Sequence, residues 1–439
     1  MLTSIPFPAL PSPPSWFPGH MNRFSKQLPA LLSRTDVVLE LRDSRLPLTS
    51  INTNLEGALR KWRAERGAHN YPQSHMESSA SPSKIGFGGP ICERIVVFNK
   101  RDLVPEWGFE PFRRAMASKF PDQKVFFASW NKPRDIRALS ELLIILLTYR
   151  SLTDTAKCSP HATEMNVLVV GMPNVGKSTL LNALRNIGIS GRTPKALQTS
   201  ASPGHTRTLS TRLKISEEPL VYSFDSPGVM LPFLGKGERG AERGVKLALI
   251  AGIKESLYDV EALVAYLLYR LNVLNPVSPA YLELLPPSTP PTNDVTSFLE
   301  QVGQRLGMLK RGGELDTVRA AKWFVKWWRE EGGLISASAP PVLSLGPERS
   351  QPLQSTPLRR GWGFDFEWTV DESQDSGLDL NSVIQGKMEE CIDASLKNTA
   401  EEERLGDRIS STQEKKRNWQ EQQAKRAARS KAKLSARRA

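Results

Sequence analysis

Residues 166–182 read NVLVVGMPNVGKSTLLN. The apolar run Val167-Leu168-Val169-Val170 predicts a strand buried in a parallel sheet. Gly171 to Ser178 predicts a tight loop, and Thr179-Leu180-Leu181-Asn182-Ala183-Leu184 is patterned as a helix. Together they give GxxxxGK[ST] in the strand–loop–helix setting that a P-loop requires. In such a loop successive backbone N–H groups form an anion-binding nest at the positive end of a helix. The cradle here comprises Asn174, Val175, Gly176, Lys177, Ser178 and Thr179. Gly171 and Gly176 permit the curve and the close approach of phosphate oxygens. Lys177 places a point charge on the β- and γ-phosphates, and Ser178 offers its hydroxyl to Mg²⁺.

A P-loop does not choose between ATP and GTP, so the base must be read elsewhere. Residues 94–98 (RIVVF) predict a buried strand that delivers Asn99-Lys100-Arg101-Asp102, an NKxD tetrad. The Asp102 carboxylate can accept from both N1–H and the N2 amino group of guanine. Adenine has an acceptor at N1 and no amino group at C2, so it is rejected; such mismatches leave buried polar groups unpaired and discriminate strongly. Asn99 and Lys100 would hold the loop and pack on the base. After a further strand at residues 124–127, the small-residue turn Ala128-Ser129 offers backbone N–H groups to guanine O6.

Two more loops complete the phosphate end. Residues 203–208 read PGHTRT, and Thr206 can cap Mg²⁺ and sense the γ-phosphate. Residues 220–224 predict a strand ending in Asp225-Ser226-Pro227-Gly228, or DxxG. Asp225 reaches Mg²⁺, and the Gly228 N–H can bond the γ-phosphate, whose loss releases the loop. Lys177, Thr206, Asp225 and Gly228 are therefore the catalytic candidates. Val229 follows, where Ras-like enzymes carry the Gln that orients the attacking water. Intrinsic hydrolysis should then be slow unless something substitutes. Asn174 is one candidate, through a K⁺ ion held between the phosphates.

The remaining chain is less specific. Its 439 residues predict two or three domains. A net charge of +13 favours a polyanionic partner. Cys92, Cys158 and Cys391 form neither a zinc pattern nor a disulfide framework, which fits a reducing compartment. No apolar run is long enough to span a membrane. The first 14 residues lack acids but also lack arginine, so a targeting reading is weakly supported.

A strand is expected at residues 36–41, running into Arg42-Asp43-Ser44-Arg45. These charges could face the nucleotide, or Asp43 could pair locally with its flanking arginines. Residues 69–90 have the composition of a disordered insertion. Beyond residue 254 the pattern is helical to about 335, with Trp323, Trp327 and Trp328 more consistent with core than with base stacking. Residues 336–439 have the composition of a mostly disordered basic tail, with an aromatic patch of Trp362, Phe364, Phe366 and Trp368 that reads as a docking strand. Its last stretch, 422–439, carries seven Lys/Arg and no acid, suited to salt-dependent RNA affinity. The expected organisation is an extension (1–15), a nucleotide-binding domain (16–254), a helical domain (255–335) and the tail.

The order of the motifs is unusual. The base-reading tetrad comes first, the P-loop second and DxxG last, so a doubly wound P-loop domain is present in circularly permuted form. With WFPGHM (16–21), LRDSRLP (41–47), PGHT, DSPG followed by Val229, and GGELDTVRAAKW (312–323), the chain resembles the circularly permuted GTPases of ribosome assembly, nearest to their mitochondrial members. The resemblance covers residues 16–334 and implies a GTPase with Mg²⁺, in some members K⁺. It also implies a large-ribosomal-subunit partner with its rRNA, and a peripheral place on the matrix side of the mitochondrial inner membrane. A monomer is expected. The rival reading is a nucleotide-gated RNA-binding scaffold with negligible turnover, which Val229 keeps open.

Overall fold

The computed structural model describes residues 4–14, 16–65, 93–155, 164–191, 193–199, 206, 209–210, 212–231, 233–338, 359–369, 380–405 and 419–423. The expected insertion at 69–90 and the basic stretch from 424 onward lie outside these residues.

The first helix, α1 (Gly19–Leu32), keeps Pro29 on its exposed side and buries Met21, Phe24, Leu28 and Leu32. Then come β1 (Val37–Asp43), α2 (Thr53–Glu65), β2 (Glu93–Asn99), α3 (Phe109–Lys119), β3 (Lys124–Phe127), α4 (Pro133–Thr155), β4 (Glu164–Gly171), α5 (Lys177–Gly188), β5 (Leu213–Ser216) and β6 (Leu220–Asp225). The six strands form one sheet in the order β3-β2-β1-β4-β6-β5. All neighbours are parallel except β5, which runs antiparallel to β6 at the edge.

The runs of Val, Ile and Leu in the central strands are explained by burial on both faces. Val167 and Val169 of β4 join Leu39 and Leu41 of β1, Ile95 and Val97 of β2, and Leu180 of α5 in one core layer. Leu168 and Val170 point the other way, to Phe24 of α1 and Leu59 of α2. Val96 and Phe98 of β2 face Phe112 of α3. A residue slip in any of these strands would exchange the two layers, so the register is firmly set.

Chain order in the sheet reverses between β1 and β4. In open α/β sheets such a switch point opens a crevice beyond the carboxyl ends of the strands, where ligands bind. Asp43, Asn99, Phe127, Gly171 and Asp225 are the last residues of the five parallel strands. The NKRD tetrad, the Ala128-Ser129 turn, the P-loop and DSPG therefore lie on the same edge.

After β6 the chain forms a helical unit of α6 (Gly237–Leu249), α7 (Val260–Leu274), α8 (Val295–Arg305) and α9 (Thr317–Trp327), then a π-helical turn (Trp328–Gly332) and α10 (Gly333–Ser338). Asp259, Asp294 and Asp316 cap α7, α8 and α9 through their carboxylates; each such cap is worth about 1 kcal/mol. Trp327 and Trp328 are buried in a core with Phe298 and Phe324, and Trp323 packs partly buried against it. The tryptophans are thus packing residues. Met21, Leu46 and Met172 enter the same core from the sheet domain.

Within the stretch of tail-like composition, a hairpin of β7 (Arg359–Trp362) and β8 (Phe366–Thr369) and a helix, α11 (Leu380–Leu405), pack back on the body. The aromatic patch docks on its own chain: Trp362 and Phe366 are buried against Phe112, and Phe364 stacks on Trp328. Helix α11 lies along α3, with Lys119 paired to Asp393 at 2.7 Å and Arg243 of α6 paired to Glu402 at 3.1 Å.

Candidate functional site

The P-loop residues sit between the end of β4 and the start of α5, with Gly176 at the N-cap in the left-handed region (φ 96°). A Cβ at Gly176 would lie 2.5 Å from Trp130 Nε1 and 2.9 Å from Asn99 Nδ2, so only glycine fits. Those two neighbours are the ties that close the base half onto the phosphate half. Asn99 Nδ2 donates to Val175 O at 2.7 Å, and Trp130 Nε1 donates to Gly176 O at 3.1 Å.

Lys177 is buried, and its ammonium donates to Gly171 O (3.2 Å) and Met172 O (2.7 Å). Burial pushes it down to about 8, against the opposing pull of Asp225. An anion in the loop would favour the charged form and could replace the carbonyl partners. Asn174 lies at the rim in the left-handed region (φ 56°) and donates its amide to Ala251 O at 2.8 Å.

Ser178 Oγ stands 2.7 Å from Asp225 Oδ2 and 3.5 Å from Thr206 Oγ1. Asp225 Oδ1 is buried and accepts no hydrogen bond among the described residues. Burial raises the Asp225 carboxyl above its ordinary value, with Ser178 and Lys177 acting the other way. Two hydroxyls and an under-satisfied carboxylate fit a hard divalent cation. Among the described residues no cluster of three His, Cys, Asp or Glu forms a metal cage. Mg²⁺ would therefore be held by these oxygens together with nucleotide phosphates and water, as is usual for it. When bound it would neutralise charge developing on the phosphates.

A cleft of about 60 Å³ runs over this centre, lined by Asn174, Gly176, Lys177, Ser178, Thr179, Thr206 and Gly228, among others. Gly228 closes against Pro173, whose Cγ would lie 2.6 Å from an added Cβ. Val229 N–H donates to Gly171 O at 3.0 Å, and its side chain is buried in the apolar layer with Leu168 and Val170. Val229 therefore presents only hydrocarbon, packed in that layer. The neighbours of Thr206 at 203–205 and 207–208 lie outside the described residues.

At the base end, Asp102 follows Asn99 and Lys100 on the turn after β2. Asp102 Oδ1 and Asn99 Oδ1 are both buried without a hydrogen-bond partner among the described residues. Two orphaned acceptors suit a ligand edge rich in donors. The expected donors to guanine O6 are differently arranged. Ala128 N–H is engaged by Phe98 O (2.9 Å) and Ser129 N–H by Asp135 Oδ2 (2.8 Å). Asp135, at the start of α4, is positioned to take both Ser129 N–H and Arg101 Nε (2.7 Å), which bolts the two base loops together. Trp130, Asp135 and Ala251 are structural members of the site that no motif announces.

A doubly wound sheet whose chain order places the base loops before the P-loop defines a circularly permuted P-loop GTPase. The family described as 50S ribosome-binding GTPase matches residues 166–275. Mitochondrial GTPase 1 of Schizosaccharomyces japonicus is 31% identical over 326 residues, spanning 72% of this chain and 87% of that protein. Mitochondrial ribosome-associated GTPase 1 of Xenopus tropicalis is 28% identical over 303 residues, spanning 67% of this chain and 81% of that protein. Among solved structures, GNP-bound YlqF from T. maritima aligns over 72% of this chain and 95% of its own, at 18% identity and a TM-score of 0.39. The chain belongs to the mitochondrial GTPase 1 family.

Proposed function

We propose that this chain is a GTP-hydrolysing assembly factor for the mitochondrial large ribosomal subunit. The observation that carries the reading is the convergence of Lys177, Ser178, Thr206 and Asp225 on one cleft, bonded through Asn99 to the loop that carries Asp102. Lys177 would bind the β- and γ-phosphates, while Ser178, Thr206 and Asp225 would hold Mg²⁺. Asp102 would select guanine. The names of the relatives support a mitochondrial, ribosome-associated role.

Turnover is slow in the isolated chain on this reading, because Val229 supplies no polar atom to the attacking water. Contact with the ribosomal subunit supplies what is missing, and K⁺ at Asn174 is the candidate aid. The buried side chain of Val229 also favours a second reading, a GTP-gated RNA-binding scaffold that turns over negligibly. No helix among the described residues is long and apolar enough to cross a membrane. A peripheral position on the matrix side of the inner membrane is the corresponding proposal. The working units are residues 16–254 for nucleotide and 255–335 for the subunit, with the basic end of the chain as an RNA tether.

The test is single-turnover GTP hydrolysis in K⁺, with and without purified mitochondrial large subunits. Stimulation by subunits supports the enzyme. GTP-dependent binding without stimulation supports the scaffold. Absence of both removes the ribosomal partner from the proposal.

A further inference from the structure

Lys100, the second residue of the tetrad, is tied to the neighbouring strand end. Its backbone is left-handed (φ 62°), a region that non-glycine residues seldom occupy. Its Nζ lies 3.0 Å from Asp43 Oδ2, at the end of the neighbouring strand. Asp43 pairs in register with Asn99, and Ser44 N–H donates to Asn99 O at 2.9 Å, so the two strand ends are locked side by side. Asp43 is fully buried. Arg45 grips both of its oxygens, with Nε to Oδ1 at 2.9 Å, Nη2 to Oδ2 at 2.8 Å, and its own N–H to Oδ1 at 3.0 Å. Burial alone would raise the Asp43 carboxyl; the charges of Arg45 and Lys100 overcome that and hold it well below the usual carboxylate range. Arg45 in turn lies over the Trp328 ring, with Cζ 5.1 Å from its centroid, and its carbonyl accepts from Phe364 N–H at 2.8 Å.

We propose that Asp43 is a positioning residue for nucleotide binding, drawing the Lys100 ammonium beneath the strand ends so that its methylene stem is left to lie along the guanine. The inference rests on the reading of Asn99–Asp102 as a guanine loop. Fixing a long side chain before the ligand arrives removes the entropy of ordering it on binding. Arg45 keeps the Asp43 charge in place when Lys100 flexes. Among the described residues Asp43, Arg45 and Lys100 themselves make no hydrogen bond or ion pair to the phosphate cradle, the tie to Val175 O being made by Asn99, so the effect of changing them should fall mainly on the base.

The experiment measures affinities of the full chain for GDP and for inorganic tripolyphosphate. Wild type, Asp43→Asn, Lys100→Met and the double variant are compared. Asp43→Asn should weaken GDP by about tenfold, the worth of one charge-assisted contact, and leave tripolyphosphate unchanged within about twofold. Lys100→Met should do the same, and the double variant should be no worse than either single one. Equal losses for both ligands would mark a merely structural role and overturn the proposal, as would additive losses or an unchanged GDP affinity. If Asp43→Asn does not fold, Asp43→Asn with Arg45→Gln leaves no guanidinium buried alone and is read in the same way. A wild-type chain that binds ADP as well as GDP would instead sink the guanine reading beneath it.

Discussion

Asn174 of the P-loop donates its side-chain amide to the carbonyl of Ala251, 77 positions further along the chain and 2.8 Å away. Ala251 lies just beyond α6 in the left-handed region (φ 58°), where the backbone turns toward the next helix. The last carbonyls of α6 are held from the far side: Arg329 donates to Ala248 O at 2.8 Å and also to Leu249 O. The phosphate loop, the end of α6 and the end of the α9 segment are therefore bonded in series.

Asn174→Ala should cut this series. Nucleotide-dependent hydrogen-exchange protection over residues 245–253 should shrink, and any stimulation of turnover by K⁺ over Na⁺ should vanish. Unaltered protection would mean that the contact transmits nothing.

Val229→Gln is expected to give no gain in single-turnover rate. The backbone is pinned to Gly171 O and the side-chain site is apolar, so a glutamine must either bury an amide or leave the layer. The variant should also melt at a lower temperature. A rate rise of tenfold or more would show that the side chain can reach the water after all.

Asp102→Asn should turn preference from guanine to xanthine nucleotides. The amide replaces an acceptor with a donor facing C2, where xanthine carries an oxygen. Competition between GDP and XDP for the same site reads the outcome, and unchanged guanine selectivity would remove Asp102 from base recognition.

A buried quartet sets the acid limit of the fold. Glu40 accepts from Arg42 at 2.7 Å and from Arg94, which also pairs with Glu56. Burial pushes the Glu40 carboxyl up, but the two arginines prevail and lower it from 4.5 to about 2. A carboxyl whose pKa is lowered by folding contributes stability above its unfolded value, and that contribution is lost as pH falls through the folded one. Thermal stability should therefore drop between pH 4.5 and about 2, and Glu40→Gln should flatten the drop in that window. The same variant should lose about 3–5 kcal/mol at neutral pH, because two arginines remain buried short of a counter-charge. An equally steep acid drop in Glu40→Gln would show that other carboxyls control it.

Deleting residues 359–405 should destabilise the chain markedly, although sequence composition there suggests a dispensable tail. Trp362 and Phe366 are fully buried, at about 2–3 kcal/mol each. Asp365 accepts from Leu48 N–H (2.8 Å) and Thr49 N–H (2.7 Å) and pairs with Lys246 of α6 at 3.2 Å. Deleting residues 424–439 instead should leave the melting temperature unchanged. Equal melting temperatures for both truncations would refute the distinction.

The central strands β1, β2 and β4 were legible because burial on both faces demands unbroken apolar runs, as in Val167 to Val170, and the short β3 and β6 because each carries apolar residues into a motif turn. The edge strand β5 was not. It has one neighbour and a register shift between Lys214 and Ser216, so its four residues need neither a run nor a strict alternation. The alternating aromatics from Trp362 to Trp368 suggested one strand, yet a turn reverses the chain among them, so Trp362 and Phe366 face each other in register within one core and Phe364 enters another. The motifs placed Asn99, Lys177, Ser178 and Asp225, whose partners are set by the sheet. They could not place the Asp43–Lys100 pair, which depends on register across β1 and β2, nor the engagement of Ser129 by Asp135. For Asp43, both the neighbouring arginine and a motif lysine turned out to be partners.

The permutation also dictates the order in which the site is made. Domains emerge from synthesis amino-terminus first. Strands β1, β2 and β3 leave with the base loops attached, but β1 remains an edge until β4 arrives to pair with it. The nascent chain thus carries the loops after β1, β2 and β3 before the P-loop has been made. The hairpin that braces residues 48 and 49 comes later still. The residues of the cleft and of the base loops end at Gly228, so in sequence the site is complete little more than halfway along the 439 residues.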